Sequence, residues 1–350
     1  MRIFLCMTVN VGVVGASGYA GAELLRILHG HPEFTVTVAT AASNAGQSVA
    51  TLHPALAALG DVTLAESTPE ALVGVDAVFI ALPHGQSAAL TDALPDTLKI
   101  VDLGADHRLQ DGSDWDHYYG TGPAAAPWVY GLPELPGRRE LVATANKVAN
   151  PGCYATALQL SAAPLLARGL VEPDDIVAVA ASGTSGAGRK ASIPHSATEV
   201  MGSMTSYRVG GTHQHIAEVT QELSIAAGAA VSLSFTPLLA PMPRGILATT
   251  TMRLAEGASA ESVDEAMRSF YADSEFVFVL PDGASPATAS TTGTNCAHIQ
   301  SAVDERSGRV VVVTAIDNLG KGAAGQAVQN ANLMFGFGEA TGLSVLGVAP

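Results

Sequence analysis

The chain has 350 residues, 48% of them apolar and 14% charged, which is ample for two domains with large buried cores. Its formal net charge of −15, with no Lys/Arg run to offset it, excludes a nucleic-acid binder and means that any anionic substrate must be held by a few local cations. Three cysteines, Cys6, Cys153 and Cys296, show neither CxxC nor metal-type spacing; this argues against a disulfide framework and for a reducing, cytoplasmic compartment, and no apolar run reaches membrane-spanning length.

In chain order, the apolar stretch Met1–Val14 lacks a cleavage site and runs into a Gly-rich turn. It reads as a first strand, Val9–Val14, with Met7 an alternative start, and not as a signal peptide. Gly15-Ala-Ser-Gly-Tyr-Ala-Gly21 follows, then a helical pattern through Leu24, Leu25, Ile27 and Leu28. A strand, a G-x-x-G-x-x-G turn and a helix in that order match a dinucleotide site. The glycines permit a tight turn and close approach of backbone amides to a pyrophosphate at a helix N-terminus. Gly15, Gly18, Gly21 and Ala20 supply that backbone, and Ser17 and Tyr19 add hydrogen-bonding groups. The second strand, Phe34–Ala39, opens into a segment with no acid up to Ser48. An NAD site usually carries a carboxylate there for the ribose 2′-hydroxyl, so Thr40 and Ser43 favour a 2′-phosphate and hence NADP(H). Apolar runs at Val75–Leu82 and Lys99–Asp102, alternating with helical segments, complete a doubly wound parallel sheet.

Arg108 closes Asp102-Leu-Gly-Ala-Asp-His-Arg108, just past a parallel strand. Ligands gather at such carboxyl ends, and the guanidinium can clamp a substrate carboxylate in bidentate fashion; an ion pair with Asp102 or Asp106 is the structural alternative. Cys153, in Asn150-Pro-Gly-Cys-Tyr-Ala-Thr156, starts a predicted helix, Gly152–Arg168. A helix N-terminus favours a thiolate, which makes Cys153 the candidate nucleophile, while Cys6 and Cys296 sit in apolar segments. After a strand at Ile176–Ala181, Ser182-Gly-Thr-Ser-Gly-Ala-Gly188 ends in Arg189-Lys190, a backbone-rich loop suited to phosphate or to the nicotinamide ribose. Gly211-Thr-His-Gln-His-Ile-Ala-Glu218 supplies His213, His215 and Glu218. His215 and Glu218 are three apart and share one helix face, so Glu218 can orient the imidazole; no further ligand lies close enough to make His-x-His a metal site. Longer strands at Val231–Thr236, Ile246–Leu254, His298–Val303 and Val310–Ala315, a helix at Ser259–Tyr271 and a helix at Lys321–Phe335 indicate a second, α+β domain.

Taken together, Gly15–Gly21, Leu82-Pro-His-Gly85, Asp102–Arg108, Tyr130-Gly-Leu-Pro-Glu134, Asn150–Thr156, Ser182–Arg189, Gly211–Glu218 and Asp317-Asn-Leu-Gly-Lys-Gly-Ala-Ala-Gly-Gln-Ala327 resemble the N-acetyl-γ-glutamyl-phosphate reductase family of arginine biosynthesis, over essentially the whole chain. The resemblance implies a Rossmann-type domain, 1–152 and 319–350, and an α+β domain like that of glyceraldehyde-3-phosphate dehydrogenase, 153–318. It implies reduction of N-acetyl-γ-glutamyl phosphate by NADPH to the semialdehyde and phosphate, through a thioester on Cys153, in a homodimer or homotetramer. It places His213 and His215 on the family's H-R-H motif, with His215 as the acid/base and His213 the second candidate. Arg108 would hold the α-carboxylate, with Ser182 and Arg189 at the substrate. Pro83, Ser185, Gly186 and Asn318 would approach the cofactor. Gln214 departs from the motif's basic residue, Ile216-Ala217 from its Thr-Pro, and Gly320 from a frequent Val. Aspartate-semialdehyde dehydrogenase is the nearest alternative enzyme. A reductase acting on a carrier-bound aminoadipyl phosphate would need a groove for an acidic carrier, which the negative charge disfavours. A silent dinucleotide-binding regulator would lack a nucleophile or base.

Overall fold

The computed structural model describes residues 8–120 and 122–348; residues 1–7, with Cys6 and the alternative start Met7, lie outside them. Seven parallel strands form the first sheet: β1 (Val9–Val14), β2 (Phe34–Ala41), β3 (Ala65–Glu66), β4 (Ala77–Ile80), β5 (Lys99–Asp102), β6 (Val129–Tyr130) and β7 (Lys147–Ala149), in the order β3-β2-β1-β4-β5-β7-β6. Strands buried on both sides read as continuous apolar runs, as β4 does. One face carries Leu24, Leu25 and Leu28 of the helix Tyr19–His29 together with Ala327, Val328 and Ala331 of the helix Gly325–Met334. The opposite face packs Val14, Val78, Ile80 and Ile100 against Leu72, Leu90 and Leu94. The last helix of the chain therefore returns to the sheet built by the first.

The second sheet is mixed: β8 (Val171–Ser182), β9 (Thr205–Ser206), β10 (Leu233–Leu239), β11 (Ile246–Leu254), β12 (Val277–Val279), β13 (Ala297–Asp304) and β14 (Arg309–Ile316), in the order β12-β13-β14-β11-β8-β10-β9. Its inner face alternates inward residues such as Ile176, Ala178 and Ala180 on β8, the period-two pattern of a half-buried strand. These pack on the helices Cys153–Ala167, His215–Ala227 and Ala260–Phe270. The helix Cys153–Ala167 is apolar all round and buried from Tyr154 to Leu166, as a helix enclosed on every side must be. The outer face keeps Val177 and Val179 exposed. No helix among the described residues is long and apolar enough to cross a membrane.

The expected helix Lys321–Phe335 is split. Gly320–Ala324 winds as a wider π turn and only Gly325–Met334 is α-helical. Glycines allow the close approaches this needs: a Cβ at 320 would run into the carbonyl oxygen of Thr294, and one at 322 would sit 2.8 Å from Cys153 Cβ. The turn is anchored by Lys321, whose fully buried Nζ meets Glu134 Oε1 at 2.5 Å and Gln329 Oε1 at 2.7 Å. Removing one partner of a buried pair leaves an uncompensated charge, costing about 3–5 kcal/mol. Lys321→Ala should lose about that much in urea unfolding, and adding Glu134→Leu should restore most of it; a Lys321→Ala loss below about 1 kcal/mol would refute the anchor.

Candidate active site

The first βα turn is built as a dinucleotide cradle. Gly15 has φ +80°, and a Cβ there would strike the backbone of Ala81, the residue leading into Leu82 and Pro83 after β4. Gly21 lies so close under Gly15 that a Cβ would overlap its carbonyl oxygen. Gly18 has open space, its nearest such neighbour being 3.5 Å away, and no side chain caps the helix Tyr19–His29 that it begins. First-turn amides without a side-chain acceptor are what a pyrophosphate occupies, so Tyr19 and Ala20 fit a dinucleotide, while the Gly18 amide donates to Gly15 O at 3.0 Å and shapes the turn. Ser43 is exposed past the end of β2, and the Thr40 hydroxyl bonds Ser67 Oγ at 2.8 Å.

Cys153 is the first residue of its helix, after Gly152 in extended conformation. Burial opposes the thiolate that the helix start favours. Burial pushes the thiol up to about 11, against the opposing pull of the Tyr154 N–H and of the Arg108 charge. The helix end lowers the cost of the anion, but desolvation outweighs it. Gly152 lets the His215 ring lie against the backbone here: a Cβ at 152 would fall 2.5 Å from Nε2.

The two histidines are not equivalent in space. His213 Nδ1 accepts the His215 backbone N–H at 3.1 Å, and its ring is boxed by Tyr154, Tyr207 and Phe235. Burial and the neighbouring His215 drive it down to about 2, so it is committed to packing and to the start of the next helix. His215 is buried, its Nδ1 has no protein partner, and burial followed by the Arg108 charge holds it well below the usual imidazole range. A neutral imidazole with a free ring nitrogen can accept a proton.

Glu218 shares the His215 face, as the spacing predicts, but its Oε1 stands 3.8 Å from His215 Nε2, beyond hydrogen-bond range. Its oxygens are instead used by Arg108 Nη1 at 3.1 Å, Tyr130 OH at 2.8 Å and Gly152 N at 3.1 Å. Arg108 is correspondingly enclosed: Nε donates to Asn150 O at 2.8 Å and Nη2 to Leu103 O at 2.7 Å. Three of its five donors are spent inside the protein, so the expected clamp on a substrate carboxylate has only the other two to offer. Its partner is neither Asp102 nor Asp106. Asp106 accepts the amides of Gly85, Ser87 and Ala88, and Asp102 accepts Ser87 Oγ.

Asn318 joins the remaining loops. Its Oδ1 accepts Gly245 N at 2.7 Å and its Nδ2 donates to Ser185 Oγ at 2.9 Å, beside Gly186 and the buried Ser182. Arg189 reaches the other way, donating to Leu52 O at 3.2 Å, next to His53, whose Nε2 meets Ser17 O at 3.1 Å. It thus stands beside the dinucleotide turn. Sequence reasoning assigned no role to His84 or Tyr119. Their rings meet at 5.3 Å, and desolvation by the neighbouring groups, then the Arg108 charge, lower His84 to about 4. The position of His84 just past β4, at a strand's carboxyl end, was the available signal.

Comparison with known proteins places these features in a lineage. Residues 10–144 match the family described as semialdehyde dehydrogenase, NAD binding domain, and residues 153–318 the semialdehyde dehydrogenase, dimerisation domain. Proteins named N-acetyl-gamma-glutamyl-phosphate reductase from Salinispora arenicola and Acidothermus cellulolyticus are 57% and 54% identical over 344 residues, covering 98% of this chain and 100% of theirs; one from Streptomyces coelicolor is 52% identical over 345 residues, with the same coverage. Among solved structures, aspartate semialdehyde dehydrogenase with NADP from Candida albicans aligns with TM-score 0.71 at 17% identity, and aspartate semialdehyde dehydrogenase II from Vibrio cholerae with 0.69 at 15%, each over 94% of this chain and 98% of that one.

Proposed function

Because this chain belongs to the N-acetyl-gamma-glutamyl-phosphate reductases of the semialdehyde dehydrogenase family, we propose that its site carries out that reduction with Cys153 as nucleophile and His215 as acid/base. The enzyme is an oxidoreductase with an NAD(P)-binding domain that converts N-acetyl-γ-glutamyl phosphate to N-acetylglutamate 5-semialdehyde and phosphate. The observation that carries the assignment of roles is the His215 ring, whose Nδ1 has no protein partner and whose Nε2 edge lies against Gly152, at the helix end where the Cys153 thiol begins.

His215 accepts the thiol proton. The Cys153 sulfur then adds to the acyl carbonyl and phosphate departs, leaving a thioester. Covalent capture holds the carbonyl in place for reduction. Bound NADPH supplies the hydride. His215 returns its proton to the resulting hemithioacetal oxygen, and the adduct collapses to the aldehyde and free thiol. Glu218 and Arg108 act as a buried pair that keeps His215 and the helix end in register. His213 braces the loop that carries His215.

NADP(H) is the preferred cofactor in this reading, with Ser43 and Arg189 on the ribose side and the Gly15–Gly21 turn on the pyrophosphate. Pro83, Ser185, Gly186 and Asn318 frame the nicotinamide end, and Ser182 stands at the substrate. Residues 1–152 with 319–350 form the cofactor domain and 153–318 the catalytic domain. The exposed Val177 and Val179 on the outer sheet face suit a homodimer or homotetramer. The free Cys153 and Cys296 suit the cytoplasm.

The test is phosphate-dependent NADP reduction with N-acetylglutamate semialdehyde and aspartate semialdehyde side by side. The acetylated aldehyde should be preferred by at least about 100-fold in kcat/KM, as a site built for a substrate's polar groups rejects analogues lacking them, and NADP should bind more tightly than NAD. Preference for aspartate semialdehyde would overturn the substrate, and equal affinity for NAD would overturn the cofactor preference.

A further inference from the structure

The acyl phosphate brings a dianionic phosphoryl group to a protein of net charge −15, so a cation must receive it. Arg108 is neutralised by Glu218 and enclosed, and Arg189 is turned to Leu52 beside the dinucleotide turn. Arg244 is held between Glu23 and Asp317. Arg208 differs from all of these. It is exposed, and among the described residues no carboxylate is paired with it. Its Nη1 donates to the neutral amide of Gln214, the residue between His213 and His215.

The backbone adds a second, independent observation. Arg208 has φ +45°, the only described non-glycine residue at positive φ, and Gly210 and Gly211 follow at +73° and +80°. A side-chain-bearing residue in this region is strained and persists only where its surroundings hold it, which is commonest at ligand sites. The turn so formed points the guanidinium at the histidine loop, close enough for its charge to depress His84, His213 and His215.

We propose that Arg208 is the phosphate-receiving cation of this site, binding the phosphoryl oxygens of the acyl phosphate and, in the reverse direction, the inorganic phosphate that attacks the thioester. This rests on the reductase reading above. Phosphate departs, or in the reverse direction enters, while the acyl group is held as the thioester on Cys153. Its cation must therefore be reachable from solvent, as Arg208 is and Arg108 is not. A guanidinium also matches phosphate oxygens in bidentate fashion.

The experiment uses the full chain in the direction of NADP reduction, varying inorganic phosphate and N-acetylglutamate semialdehyde separately, for the unsubstituted protein, Arg208→Gln and Arg208→Lys. Losing a charged hydrogen bond weakens binding by about 10- to 100-fold. Arg208→Gln should raise the KM for phosphate by that factor, with the aldehyde KM and NADP affinity changed less than about twofold, and Arg208→Lys should recover part of it. Unchanged NADP affinity also shows that the variant is folded. A phosphate KM within twofold of the unsubstituted protein overturns the proposal, as does a rise in the aldehyde KM instead, which would put the substrate carboxylate on Arg208. If the unsubstituted protein shows no phosphate-dependent turnover at all, the reductase reading itself falls, and this one with it.

Discussion

Cys153→Ser is expected to reduce turnover by at least about 10³-fold while leaving NADP affinity unchanged, since loss of a covalent nucleophile removes the intermediate and not the cofactor site. Single-turnover assays with the acyl phosphate should show no thioester. Residual turnover above about one part in a hundred would sink the nucleophile assignment. The state of the thiol has its own signature. Because burial raises the Cys153 thiol to about 11, its thiolate fraction grows about tenfold per pH unit below that value. Alkylation of the unliganded enzyme by iodoacetamide should therefore accelerate steadily from pH 7 to pH 10. A rate already level at pH 7 would mean that the helix end overcomes burial.

His215→Asn is expected to lower kcat by about 10²- to 10⁴-fold, the usual worth of a positioned acid/base, with NADP affinity within about twofold. His213→Asn should act differently. Its ring is packed among Tyr154, Tyr207 and Phe235, and its Nδ1 receives the His215 amide, so its loss should appear chiefly as reduced stability in thermal unfolding. A larger kcat loss for His213→Asn than for His215→Asn, in folded protein, would reverse the two roles.

Local chemistry explains why much of this was readable in advance. β1, β5 and β11 fall on the residues their apolar runs predict, and the helix bearing Cys153 is shorter than expected by one residue at each end. The Gly15–Gly21 turn is legible because each glycine answers a clash within a few residues or at the neighbouring strand. The π turn at Gly320–Ala324 was not legible. It exists because Thr294, Cys153 and Asn295, distant in sequence, press on Gly320, Gly322 and Gly325, and no periodicity records such contacts.

By itself, the sequence determined the two-sheet α/β and α+β architecture, the dinucleotide turn, and the cysteine at a helix start. These rest on hydrogen-bonding periods and turn preferences that act over a few neighbouring residues. Only the tertiary structure decided that His215 Nδ1 is left without a partner, that Arg108 is taken by a carboxylate 110 positions away, and that burial raises the Cys153 thiol. Each of those depends on burial and on charges brought together by packing, and desolvation is a property of the enclosed site that no spacing of residues along the chain can express.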